Sequence, residues 1–432
     1  MKKFTTLKTY TTFPRNVQIM VLSELSLALA FGIYSFLQIL YLNDINIPSD
    51  KIGIIFSIGS LFSMVGFFLG PFIHIVGRKT ILVSGCLLSA LGVGSYVLFT
   101  NYILLLLSQI LINIGLCFIQ VTELQLLYSY TTPDKECCAY SYKSSANFIE
   151  STLGGLLAGN INKIYFFKNI GYRKLFFLSV ILILFAFTLR LFLLPRDERI
   201  KPDNGMIKKS IVNTFSLLKT HKSMRIFAIF LFIITIGGSA VWPYNNLVLK
   251  NQFGLSNTYI SIINFIITTL NMIGILIMPS IIEKFGMKKF EILSLLSLAA
   301  SMLLLGFRLS KIFFIILLII RGASACLVGS SLDSSMMSNI ELDNRDVFAG
   351  VKLLVNGIAS AIGNFIGGFI IENINFRGIY IYGFCVLIIV ISFFYIKVCK
   401  LFDHSIIIER YHRNCKCRLR HKLYNVKFKI YQ

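Results

Sequence analysis

Charge is scarce in this sequence. Only 14% of its 432 residues are Asp, Glu, Lys or Arg, against about 25% in an average soluble domain. Acids are scarcer than bases, 19 against 42 Lys and Arg. No phosphate-binding loop, nucleophile triad or zinc signature is present. An ATP-driven pump and a membrane hydrolase therefore lack support, and neither enzyme activity nor a cofactor is expected. The nine cysteines do not form a secreted framework. Cys86, Cys117, Cys326 and Cys385 fall within apolar runs. Cys137, Cys138, Cys399, Cys415 and Cys417 fall on the side whose charge marks it as cytoplasmic, a reducing compartment. Cys415 and Cys417, with His412 and His421, lack a second cysteine pair nearby, so no metal site is expected.

What the chain has instead is apolar length. It is 56% hydrophobic, with a mean hydropathy of +0.76. A helix needs about 20 apolar residues to span a bilayer. Such runs recur near 17–41, 52–74, 80–100, 102–128, 144–163, 174–194, 224–249, 256–282, 290–307, 311–337, 348–371 and 377–398. They predict an all-α membrane protein of twelve transmembrane helices. The first run follows basic residues, as a leader peptide would. Its apolarity continues to Leu42 and Glu24 interrupts it, so it reads as a retained helix.

The net charge of +23 suggests nucleic acid until its distribution is considered. Assigning the loops alternately to two sides puts 31 Lys and Arg on the side of the termini and 9 on the other. Positive residues favour the cytoplasm. A multi-pass protein of the plasma membrane with both termini cytoplasmic is expected, and no nucleic-acid partner. The predicted organisation is an N-terminal segment 1–16, a six-helix bundle 17–194, a cytoplasmic linker 195–223, a second bundle 224–398 and a basic tail 399–432. The tail is expected to lie against anionic lipid headgroups.

An internal repeat supports the two bundles. At one fixed offset (286 − 77 = 209), Asp134 matches Asp343, Lys143 matches Lys352 and Asn147 matches Asn356. Ser151 matches Ser360, and Gly154 matches Gly363. One step away, Glu123 matches Asp333. Shared Asn, Ser and Lys are not what an Ile- and Leu-rich background yields by composition. Asn147, Ser151 and Gly154 share one helix face, as do Asn356, Ser360, Gly363 and Gly367. Small residues there predict close helix packing; a moving interface between the halves is the alternative.

The repeat also contains two short basic stretches. Gly70-Pro71-Phe72-Ile73-His74-Ile75-Val76-Gly77-Arg78-Lys79 reads as a break between two apolar runs. Its echo runs from Pro279 through Glu283, Lys284, Gly286 and Met287 to Lys288 and Lys289. These stretches resemble the signature of the major facilitator superfamily between the second and third helices of each half. His74 stands where the family has Asp. Gly171-Tyr172-Arg173-Lys174-Leu175-Phe176 is similar to a second family motif. The glycines after Ser151 and Ser360 lack the proline of the family's antiporters. The resemblance implies two six-helix bundles around a central cavity, a small-molecule substrate, alternating access and a monomer. It also implies that the acid of the loop gates movement. A histidine, neutral or cationic, cannot supply that anion, so gating is expected to rest more on Glu283.

Ionisable groups in a span cost roughly 2.5–3.5 kcal/mol on insertion scales. Glu24, Glu123, Glu150, Asp333 and Arg321 are therefore the candidates for proton coupling, with Glu150 first because it lies deeper than Glu123 or Asp333 and beside the face of Asn147 and Gly154. Each also has a structural reading: a hydrated interfacial acid, a buried hydrogen bond or, for Arg321, a salt bridge. Trp242, Pro243, Tyr244, Asn245 and Asn246 interrupt the seventh helix and are candidates for lining a substrate cavity, Trp242 equally for anchoring at the membrane interface. The expected function is secondary active transport coupled to protons, with export favoured. Uptake of a sugar or other metabolite is the alternative, and a transport-dead receptor is the third.

Overall fold

The computed structural model describes residues 13–131, 139, 143, 152–161, 171–195, 216, 218, 220–340, 345–399 and 401. Among these, every regular element is helical, as a bilayer requires of a chain that must satisfy its own backbone hydrogen bonds. Twelve helices form two pseudo-symmetric six-helix bundles. The first half holds α1 (Arg15–Asp44), α2 in two pieces (Ser49–Ser63 and Val65–Val76), α3 (Arg78–Leu98), α4 (Tyr102–Ser129), α5 (described over 152–160) and α6 (Tyr172–Leu193). The second holds α7 in two pieces (Lys222–Ser239 and Asn245–Asn251), α8 (Asn257–Phe285), α9 (Met287–Leu305), α10 (Lys311–Ser338), α11 (Arg345–Asn373) and α12 (Gly378–Phe393). Ten are long and apolar enough to cross a membrane. Of the other two, α5 is described over only part of its run, and α9 opens on Lys288, Lys289 and Glu291.

The basic stretch predicted as a break is mostly helical. The second piece of α2 continues to Val76, and Gly77 alone leaves the helix, at φ 94°. In the second half α8 continues past Pro279 to Phe285, and Gly286 leaves it at φ 81°. The Gly77 N–H donates to the Ile73 carbonyl, and the Gly286 N–H donates to the Ile282 carbonyl. Both turns thus repeat at the offset read from the sequence. Only glycine adopts such angles without steric cost.

The two halves meet on the side opposite the termini, here the far side. Ser49 N–H donates to Glu372 Oε2 (2.8 Å), Ser57 to the Ala361 carbonyl (2.5 Å) and Asn364 to Ser60 (3.0 Å), all between α2 and α11. Thr258 donates to the Gly159 carbonyl (2.9 Å) and Asn160 to Ser261 (3.1 Å), joining α5 to α8. Asn246 donates to the Phe36 carbonyl (3.3 Å), and Lys250 pairs with Asp44, joining α7 to α1. Toward the terminal side, Leu276, Pro279, Glu283 and Phe285 of α8 are exposed. The far side is closed.

The small-residue faces lie within the halves. A Cβ on Gly154 would meet the Leu29 carbonyl of α1 at 2.4 Å; on Gly363 it would meet Ser239 Oγ of α7 at 2.2 Å. Asn356 accepts from Thr235 of α7 (3.1 Å), and a Cβ on Gly367 would meet the Ala240 carbonyl at 2.3 Å. The contacts of α11 with the other half come from Gly357, Ala361, Asn364, Gly368 and Glu372, one step round the helix. Ser360 is half-buried; Asn147 and Ser151 lie outside the described residues.

Candidate functional site

Each half places a lysine against an acid at its repeat-related positions. In the first half the Lys143 ammonium lies 2.8 Å from Glu123 Oε2 and 3.7 Å from Glu24 Oε1. Arg190, on α6, completes this cluster and is fully buried. One guanidinium nitrogen donates to both Glu123 (2.7 Å) and Glu24 (3.0 Å). Its Nε donates to Ser23 (2.9 Å), and its third nitrogen reaches Cys86 Sγ (3.7 Å). Two carboxylates and two cations balance to zero. This is how four costly charges are tolerated inside apolar helices: each is paired and hydrogen-bonded. Glu24 is held less closely than Glu123 by both cations.

In the second half the Lys352 ammonium lies 2.6 Å from Asp333 Oδ1. The pair lines a cavity of about 410 Å³ among α7, α9, α10, α11 and α12, and half of the Asp333 side chain is exposed. Arg321 and Trp242 line the same cavity. Arg321 was expected to find an acid or carbonyl. Its guanidinium instead lies over the Trp242 ring, 5.9 Å from the centroid, and its buried Nε has no hydrogen-bond partner among the described residues.

The structure does not bring the predicted cavity residues together. Trp242 faces the cavity, but Tyr244 is fully buried and donates to the Asn364 carbonyl (2.7 Å). Asn245 accepts from Tyr380 (3.3 Å), and Asn246 accepts from Asn264 (2.9 Å). These three hold the break in α7 rather than line the cavity. Glu150 lies outside the described residues, as do the cysteines and histidines of the tail; for Gly70 and His74 only the helical backbone is described. Arg78 opens α3, and Lys79 donates to the Leu194 carbonyl at the end of α6 (2.5 Å). Glu283, Lys284 and Gly286 are exposed at the end of α8.

Sequence reasoning missed two groups. Arg190 was visible inside a span, and the unpaired acids of that half called for a cation. Glu291 stands at the start of α9 and is fully buried. Ser331 donates to its Oε1 (2.5 Å), while its Oε2 has no hydrogen-bond partner among the described residues. Glu291 lies just inside the apolar run 290–307, beside Lys288 and Lys289, and was not singled out among the charges in spans.

The Major Facilitator Superfamily profile matches residues 20–236 and again 227–400. The chain belongs to the major facilitator superfamily. No curated protein matches it in sequence. Among solved structures, a mutant of the nucleoside transporter NupG superposes with a TM-score of 0.68 at 16% identity, covering 88% of this chain and 98% of that one. The human organic anion transporter MFSD10 (TETRAN) superposes with a TM-score of 0.62 at 13% identity, with the same coverage. Both share the fold. The superfamily and these neighbours indicate a multi-pass membrane transporter rather than a typical enzyme.

Proposed function

We propose that this chain is a secondary active transporter that moves a small molecule by alternating access, coupled to protons, with export as the favoured direction. The observation that carries the reading is the pair of halves closed against each other on one side through small residues and single hydrogen bonds. Such contacts can break and reform without unfolding either bundle. Loop charge supports cytoplasmic termini at the plasma membrane, with the closed side outward. In the cluster of Glu24, Glu123, Lys143 and Arg190, protonating one carboxylate would unbalance four charges and free Lys143, which is the most exposed of them. Glu24 is the better acceptor because its cations are farther away.

A screen of labelled metabolites in proteoliposomes under an imposed pH gradient tests transport directly. With a substrate in hand, Glu24→Gln is expected to exchange it across the membrane but not to accumulate it against a gradient. Full accumulation by that variant refutes the assignment. If Glu150→Gln then fails to accumulate, the proton belongs to Glu150.

Gating is proposed to rest on the end of α8 more than on the end of α2. Glu283 stands exposed one turn before Gly286, whereas the equivalent stretch carries His74. Glu283→Ala is expected to slow initial transport more than His74→Ala at equal expression. The reverse order would reject this and make the protonation of His74 a switch in its own right.

A further inference from the structure

Arg321 is 3% exposed, cannot shed its charge, and lines a cavity. Among the described residues its Nε has no hydrogen-bond partner, and the groups beside it are the face of Trp242 and the neutral phenol of Tyr380. A buried guanidinium left this way is costly unless something else completes it. The other charges of the cavity do not. Asp333 lies twelve residues along the same helix, roughly 18 Å away at 1.5 Å per residue, and is paired with Lys352. The cavity therefore offers one unspent positive charge at one end and a neutral pair at the other. Thr235 donates to Asn356 Oδ1 (3.1 Å), leaving the Asn356 amide N–H as a further donor on the wall. Between these groups the lining is mostly aliphatic, as at Leu231, Leu298 and Val386. A volume of about 410 Å³ falls in the range of small-molecule sites.

We propose that this cavity is a binding site for an organic monocarboxylate, with the carboxylate on Arg321 and the apolar body against Trp242 and the aliphatic wall. The planar fork of arginine matches a carboxylate with two parallel hydrogen bonds. A dianion such as phosphate would need a second free cation, and Lys352 is already engaged by Asp333. A neutral sugar would leave the charge uncompensated. The proposal names a substrate class for the transport reading and rests on it only for the step after binding.

Trp242 is the only tryptophan of the chain, so its fluorescence reports this site alone. The full-length protein, purified in detergent, is titrated with hexanoate, with hexanamide and with inorganic phosphate. Hexanoate is expected to change Trp242 emission saturably, and hexanamide and phosphate are not. Arg321→Gln is expected to weaken hexanoate binding roughly tenfold or more, the loss of a charged hydrogen bond. No saturable response to hexanoate, an equal response to hexanamide, a response to phosphate alone, or unchanged binding by folded Arg321→Gln would each overturn the proposal. If Arg321→Gln does not fold, the comparison of acid with amide on the unaltered protein decides. Hexanoate binding without any transport in proteoliposomes would sink the transport reading and leave the site; transport of other solutes without hexanoate binding would do the opposite.

Discussion

Arg190→Met is expected to destabilise the protein by about 3–5 kcal/mol, the cost of stripping one partner from a buried ion cluster. Methionine fills much of the space but leaves the two carboxylates of Glu24 and Glu123 sharing one cation of the cluster, Lys143, which lies 3.7 Å from Glu24. Ser23 and Cys86 also lose the group they meet. Thermal unfolding in detergent would show an early transition and a poor monodisperse yield. The double variant Arg190→Met/Glu123→Gln should recover much of the loss, because it leaves one carboxylate facing one cation. A single variant within about 1 kcal/mol of the unaltered protein, the worth of an exposed ion pair, would mean that water reaches the cluster and that its charges are not buried partners.

The second large effect is expected from Gly368→Val. A Cβ at Gly368 would stand 2.5 Å from the Ser49 carbonyl and 2.8 Å from the Gly53 Cα. Both are backbone atoms of α2 in the other half, so no side chain can swing away. Overpacking of this kind costs about 1–3 kcal/mol, and here its backbone clashes fall on the closed far side, while within its own half it meets the tip of the Tyr244 side chain, at 2.9 Å. The closed state should lose roughly tenfold or more in population while each half stays folded. Transport would slow sharply. A cysteine placed at Ser57 would gain access to an impermeant thiol reagent from the far side. Gly154→Val is the control: its Cβ would meet α1 within the same half, so it should lower stability rather than change access. Unchanged labelling at position 57 in Gly368→Val would show that the far-side contact is not what closes the protein.

The fold was legible because a bilayer imposes length. Runs of about 20 apolar residues have few readings, and the offset of Gly77 and Gly286 located the two halves before any helix was placed. The turns proved shorter than their basic composition suggested, since charged residues at a helix end look like loop to a reader of hydropathy. The site was less legible. Glu24 and Glu123 stood out as charges in spans, but their partner Arg190 is 166 residues from one and 67 from the other. Which helices face each other across a bundle is not written in spacing. The pairing of Lys143 with Glu123 had a usable signal, because Lys352 and Asp333 repeat it. The five residues at the break in α7 were grouped by adjacency, although a helix sends neighbours to different faces. Three of them turned out to fasten the break.

The charge cluster has a mechanical consequence. It ties together α1, α3, α4 and α6, and Lys143, at the approach to α5, joins them. Among the helices of that half it leaves out is α2, which is in two pieces, gives way at Met64 and carries the contacts to α11. Stiffness in this half is therefore uneven. Four helices are cross-linked at their core and should tilt as one block, and elastic strain during a transport cycle will collect in α2. Of the helices that grip the opposite half, α2 is the one broken within its length, so its grip can loosen at one end while it holds at the other.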